Sequence, residues 1–97
     1  MNRAEVLDQL ARNKPTLVAR YGVERLALFG STARDAARGA DSDIDILVSF
    51  DGPATSERYF GVQFFLEDLL GRPVDLVTDK ALRLELRPFI EREAVHV

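Results

Sequence analysis

Between residues 43 and 50 the chain reads Asp-Ile-Asp-Ile-Leu-Val-Ser-Phe, and no other run limits its folding so tightly. Ile44, Ile46 and Val48 alternate with Asp43, Asp45 and Leu47, the period of a β-strand, so the two aspartates share one face. Carboxylates at i and i+2 converge within a few ångströms. They repel and raise each other's pKa unless a cation sits between them. A hard divalent ion, Mg²⁺ or Mn²⁺, suits such oxygen ligands. The alternative is an exposed edge with two solvated aspartates, and the apolar Ile46, Leu47 and Val48 sit badly with it.

Two further features gain meaning beside that pair. Val23–Phe29 reads as a strand whose later part, Leu26–Phe29, is continuously apolar and so buried on both faces. Gly30-Ser31 ends it abruptly. Residues 32–38 are good helix formers with Ser31 or Thr32 available as a cap, and Gly39 to Ser42 form a turn. Glycine lets a backbone approach a ligand closely, and helix N-terminal amides attract phosphate. The same Gly-Ser also reads as a simple turn with a serine cap. Asp75 is a lone acid in Pro-Val-Asp-Leu-Val, costly in an apolar strand unless paired, hydrated or metal-bound. If its strand, Val74–Val77, lies beside Asp43–Phe50, Asp75 completes a three-carboxylate cluster; otherwise it is the solvent-facing position of a half-buried strand.

The remaining elements follow from periodicity. Residues 2–13 predict an amphipathic helix with Val6, Leu7 and Leu10 on one stripe. Pro15 ends or restarts it, with a short second helix over Pro15–Arg20 and an exit at Gly22. A helix is predicted over 55–70 with Phe60, Phe64, Phe65, Leu69 and Leu70 as core, closed by Gly71 and followed by Pro73. Residues 82–93 predict a last helix, provided it begins close to Pro88. Three strands with four or five helices define an α/β or α+β fold in one domain, residues 1–97.

Composition excludes several classes. The absence of cysteine removes disulfides, zinc–thiolate sites and thiol nucleophiles. No apolar run approaches a membrane span and the charged N-terminus lacks a secretory h-region, so a cytoplasmic location is expected. A net charge of -3 argues against direct nucleic-acid binding. It leaves room for a nucleotide carried by metal ions.

A phosphate-cradling turn facing three carboxylates is the equipment of a two-metal site, which stabilises the attacking and leaving oxygens of an in-line phosphoryl displacement. The run Leu26-Ala-Leu-Phe-Gly-Ser-Thr-Ala-Arg34, followed by Ser42-Asp-Ile-Asp-Ile-Leu-Val48, resembles the minimal nucleotidyltransferases (MNT) of the DNA polymerase β-like superfamily. The spacing agrees, with aspartates twelve and fourteen positions after Ser31, and so does the closing Phe89-Ile-Glu-Arg-Glu-Ala-Val-His-Val97. The resemblance spans essentially the whole chain.

That resemblance implies a short mixed sheet flanked by helices, the polymerase β-like nucleotidyltransferase fold. It implies that Gly30 and Ser31 hold the β- and γ-phosphates of ATP; apart from the resemblance, Arg34 and Arg38 read either as further phosphate contacts or as ordinary helix-surface charges. Asp43, Asp45 and Asp75 become the ligands of two Mg²⁺ ions (or Mn²⁺), Asp75 also helping to deprotonate the acceptor hydroxyl. Many small members are the antitoxin of a HEPN–MNT pair and transfer AMP to a tyrosine of the HEPN toxin. One position departs, Asp35 standing where the family commonly has glycine. Two other functions fit the same residues: an antitoxin that blocks its partner by occlusion without turnover, and a small-molecule nucleotidyltransferase subunit. Arg83, Arg87 and Arg92 mixed with Glu85, Glu91 and Glu93 read as a solvated or partner-facing surface.

Overall fold

In the computed structural model, which describes residues 1–34 and 43–97, the apolar runs pair as one mixed sheet. Strand β1 (Val23–Phe29) lies antiparallel to β2 (Ile44–Phe50), and β2 lies parallel to β3 (Val74–Thr78). A two-residue strand, β4 (Val95–His96), pairs antiparallel with β1 on its other side, giving the order β3-β2-β1-β4. This fourth strand was not expected: two residues carry no periodicity to read.

One face of the sheet packs on helices α1 (Arg3–Tyr21) and α3 (Ser56–Leu70). Leu26, Leu28, Ile44, Ile46, Val48, Val74 and Leu76 supply the sheet's half of that core, all 4% exposed or less. Val23 has the wrong parity to join Leu26 and Leu28 on one face of a regular strand. An irregularity between Val23 and Arg25 corrects this by setting Val23 opposite Phe50, and Val23 is buried.

The predicted break in the first helix does not occur; α1 runs unbroken through Pro15. A capping box opens it: Glu5 N–H donates to Asn2 Oδ1 at 2.9 Å, and Asn2 N–H donates to Glu5 Oε1 at 3.2 Å. Pro15 forfeits one intrahelical hydrogen bond, a cost of about 3 kcal/mol in a helix interior. It lies on the exposed side of the helix, as does Ala11, whose carbonyl loses its i+4 N–H donor. Leu10 and Leu17, both fully buried, dock the helix on either side of it. Burying each contributes roughly 1.5–3 kcal/mol, enough to hold both halves on one axis.

α3 is present over nearly the expected span, and Leu70 is core as expected with Phe65 and Leu69 against it, but Phe60 and Phe64 are not core. Val62 and Leu66 take the centre of the inward stripe, and Phe60 and Phe64 are 49% and 59% exposed. The sequence offers apolar residues around more than half the helix, so periodicity alone does not choose the inward side. A polar stripe chooses it. Tyr59, Gln63 and Glu67 reach the open edge of β3: Tyr59 Oη donates to Leu76 C=O at 2.6 Å and Gln63 Nε2 to Val74 C=O at 3.3 Å. Glu67 Oε2 accepts from Val74 N–H at 3.0 Å. Main-chain groups that no neighbouring strand satisfies are satisfied from the helix.

Gly61 brings α3 close to α1, since a Cβ there would lie 2.9 Å from Cδ1 of Tyr21. Beyond β3 a 3₁₀ turn (Asp79–Ala81) precedes α4 (Arg87–Glu93), so the helix expected over 82–93 is confined to its second half. Pro88 sits in the first turn of α4, where its missing N–H has no intrahelical partner to lose. The helix expected over 32–38 is described only through α2 (Gly30–Ala33); the turn over 39–42, Asp35 and Arg38 lie outside the described residues. No helix among the described residues is long and apolar enough to cross a membrane.

Candidate active site

The sheet register builds the site. β1 sets Phe29 opposite Asp45, and β3 sets Asp75 beside Asp45. Asp45 and Leu47 alternate with the core residues Ile44, Ile46 and Val48, so Asp45 and its neighbour Asp75 project from the face turned away from α1 and α3. Ile44 N–H donates to Pro73 C=O at 3.0 Å, which fixes the parallel pair at the end where both aspartates lie.

The turn leaving β1 fits under this pair. Gly30 has φ +72°, and a Cβ there would stand 2.9 Å from Cγ of Asp45. Only glycine satisfies both the left-handed backbone and the close approach. α2 then makes a single turn, Arg34 N–H donating to Gly30 C=O at 3.2 Å. The expected cap is absent: Phe29 holds the N-cap position, neither Ser31 nor Thr32 caps, and Ser31 lies half-buried within the turn. Thr32 is 2% exposed, and its Oγ1 has no hydrogen-bond partner among the described residues.

Burial pushes the Asp45 carboxyl up from 3.8 to about 6; the charge of Asp75, a hydrogen bond with its carboxyl, and the charge of Asp43 push the same way, opposed by Arg34. Asp45 is half-buried, whereas Asp43 and Asp75 are exposed. The structure thus unites Asp45 and Asp75 and leaves Asp43 just ahead of β2, acting through its charge. Among the described residues no three acidic, histidine or cysteine side chains converge into a preformed cation cage. The donor chemistry nonetheless suits a hard divalent ion. Two adjacent carboxylates, one held toward its protonated form by burial and by the charge of the other, would ionise readily once a cation entered.

Arg34 reaches Glu93, the last residue of α4, in an ion pair across 59 positions of sequence. It is close enough to Asp45 for its charge to oppose the rise in that carboxyl's pKa, and its guanidinium is already engaged with Glu93. In the sequence Glu93 reads as one charge of a solvated or partner-facing surface. Only the chain path that carries α4 back to α2 reveals its link to the site, and no local sequence signal could have found it.

A four-stranded mixed sheet flanked by helices, with a glycine turn beneath a cross-strand aspartate pair, defines a nucleotidyltransferase, and the chain belongs to the nucleotidyltransferase domain family, whose model matches residues 8–97. The protein adenylyltransferase MntA of Thermococcus cleftensis is 37% identical over 93 residues, covering 96% of this chain and 93% of that protein. A Methanocaldococcus jannaschii protein assigned as an adenylyltransferase is 37% identical over 95 residues, covering 97% and 96%. A solved structure assigned as a minimal nucleotidyltransferase superposes with a TM-score of 0.78 at 38% identity, covering 98% of this chain and 95% of that one. At 21% identity and a TM-score of 0.59, the fold is shared with a complex of the tri-AMPylated HEPN toxin and MNT antitoxin of Shewanella oneidensis, covering 98% and 67%.

Proposed function

We propose that this nucleotidyltransferase transfers AMP from ATP, with Mg²⁺, to a hydroxyl of a HEPN-type toxin, a tyrosine being the acceptor, and acts as its antitoxin. The observation that carries this reading is the Asp45–Asp75 pair standing over the Gly30 turn. The names of the similar adenylyltransferases and the HEPN–MNT complexes that share the fold support the choice of reaction and partner.

In this reading Gly30 and Ser31 receive the β- and γ-phosphates, and Arg34 faces the remaining phosphate charge. Asp43, Asp45 and Asp75 hold Mg²⁺, with room in the chemistry for two ions or for Mn²⁺. Bound Mg²⁺ supplies the positive charge that the triphosphate and the crowded carboxylates both require. The acceptor oxygen attacks the α-phosphorus, the bond from that phosphorus to the bridging oxygen breaks, and pyrophosphate leaves with the electron pair. The acceptor's proton passes to the carboxylate of Asp75. Most of the acceleration comes from positioning and electrostatics.

The test is label transfer from ATP radiolabelled on its α-phosphate, with Mg²⁺ and a HEPN-type partner, comparing wild type with Asp43→Asn/Asp45→Asn. A labelled partner band formed only by wild type is expected. Neutralisation that survives the double substitution unaltered would instead identify an occluding antitoxin. Label that passes only into small molecules would point to a small-molecule acceptor.

A further inference from the structure

The turn that carries Gly30, Ser31 and Arg34 is clasped on both sides by one stretch of chain. On the strand entering it, Leu28 of β1 pairs with Val95 of β4. On the residue leaving it, the Arg34 guanidinium is held by the Glu93 carboxylate. Only Ala94 separates Glu93 from β4, and its N–H donates to Ile90 C=O at 2.9 Å, closing α4 as the chain enters the sheet. The ion pair is therefore anchored at both ends by main-chain hydrogen bonds, since Arg34 N–H donates to Gly30 C=O.

With side chains 53% and 36% exposed, the Arg34–Glu93 pair contributes little to folding. What it fixes is direction. A solvent-exposed arginine samples many rotamers, whereas one tied to a carboxylate is oriented before any ligand arrives. We propose that Glu93 is a positioning residue for nucleotide binding: it holds the Arg34 guanidinium beside the Gly30–Ser31 turn, pre-oriented to meet the triphosphate. This inference rests on the nucleotide reading given above.

The sign of the effect separates positioning from simple charge. Removing a carboxylate near a polyanion's site strengthens binding if Coulomb attraction is all that matters. Removing a positioning contact weakens it. Mg-ATP affinity by calorimetry, together with KM and kcat for label transfer, would be measured for wild type, Glu93→Gln, Arg34→Ala and the double variant. Glu93→Gln is expected to weaken ATP binding about three- to ten-fold and raise KM equally, with kcat within about two-fold. Arg34→Ala is expected to weaken binding at least as much, and the double variant no further than Arg34→Ala alone. Unchanged or tighter binding in Glu93→Gln, or penalties that add in the double variant, overturns the role of Glu93 and leaves the nucleotide reading intact. A wild-type chain that binds no Mg-ATP overturns both. Should Glu93→Gln melt below the assay temperature, Glu93→Asp, which keeps the charge but withdraws it by one methylene, is measured in its place with the same expectation.

Discussion

Gly30 is where a single atom decides the site. Its φ of +72° and the carboxyl of Asp45 leave no room for a side chain, so Gly30→Ala forces either the turn or Asp45 to move. The expected outcome is a folded protein whose Mg-ATP affinity and label transfer both fall by at least about ten-fold, because a displaced first contact costs orders of magnitude in a positioned reaction. Calorimetry and a transfer assay check it, with circular dichroism to show that the fold persists. Wild-type transfer by Gly30→Ala would mean that the turn does not approach the nucleotide. Gly30, Asp45 and Asp75 stand out in the sequence because each breaks an apolar pattern, and Asp43 because it lies two positions before Asp45. Glu93 does not, since a glutamate on an amphipathic helix breaks nothing.

Among the elements, α3 shows how far periodicity reaches and where it stops. Its boundaries follow from local chemistry: Thr55 Oγ1 accepts from Arg58 N–H at 3.2 Å at one end, and Gly71 closes the other. Its rotation about its axis is set by tertiary partners, the edge of β3 for Tyr59, Gln63 and Glu67 and the core for Val62, Leu66 and Leu70. Two substitutions read that rotation directly. Leu66→Ala, at a fully buried position, is expected to cost about 2–5 kcal/mol in denaturant unfolding. Phe64→Ser, at 59% exposure, is expected to change stability by no more than about 0.5 kcal/mol. The reverse order would restore the phenylalanine stripe as core. Tyr59→Phe removes the hydroxyl that serves Leu76 and is expected to cost about 0.5–1.5 kcal/mol. Hydrogen exchange in β3 should rise with it. The same division accounts for α1, where sequence-local rules predict a stop at Pro15 and burial of Leu10 and Leu17 overrides it.

At the scale of the molecule, the site is held in a costly state of charge. Asp45 titrates near 6 in the fold against an ordinary 3.8, so the native protein binds this proton more tightly than the unfolded chain does. Its contribution to stability is therefore full below about pH 4 and is lost as pH rises through about 6. Without divalent metal, Asp45→Asn is expected to melt higher than wild type at pH 7.5, the gap closing toward pH 4. Addition of Mg²⁺ should raise the wild-type melting temperature at pH 7.5 and leave Asp45→Asn largely unmoved. Thermal scans across pH, with and without metal, decide this, and equal melting of the two proteins at pH 7.5 would contradict it. Burial of a carboxylate against its own interest is what a binding site asks of a fold. The parallel register that sets Asp45 beside Asp75 has one more consequence. A slip of β3 by one residue would leave helix content unchanged, yet would turn Asp75 to the opposite face and bring Val74 and Leu76 out of the core. Such molecules would pass a spectroscopic test of folding while lacking half of the carboxylate pair. On the proposed Mg²⁺ reading, the stoichiometry of metal uptake would count the correctly threaded molecules in a preparation, and specific activity would be best expressed per metal bound, with total protein a poorer denominator.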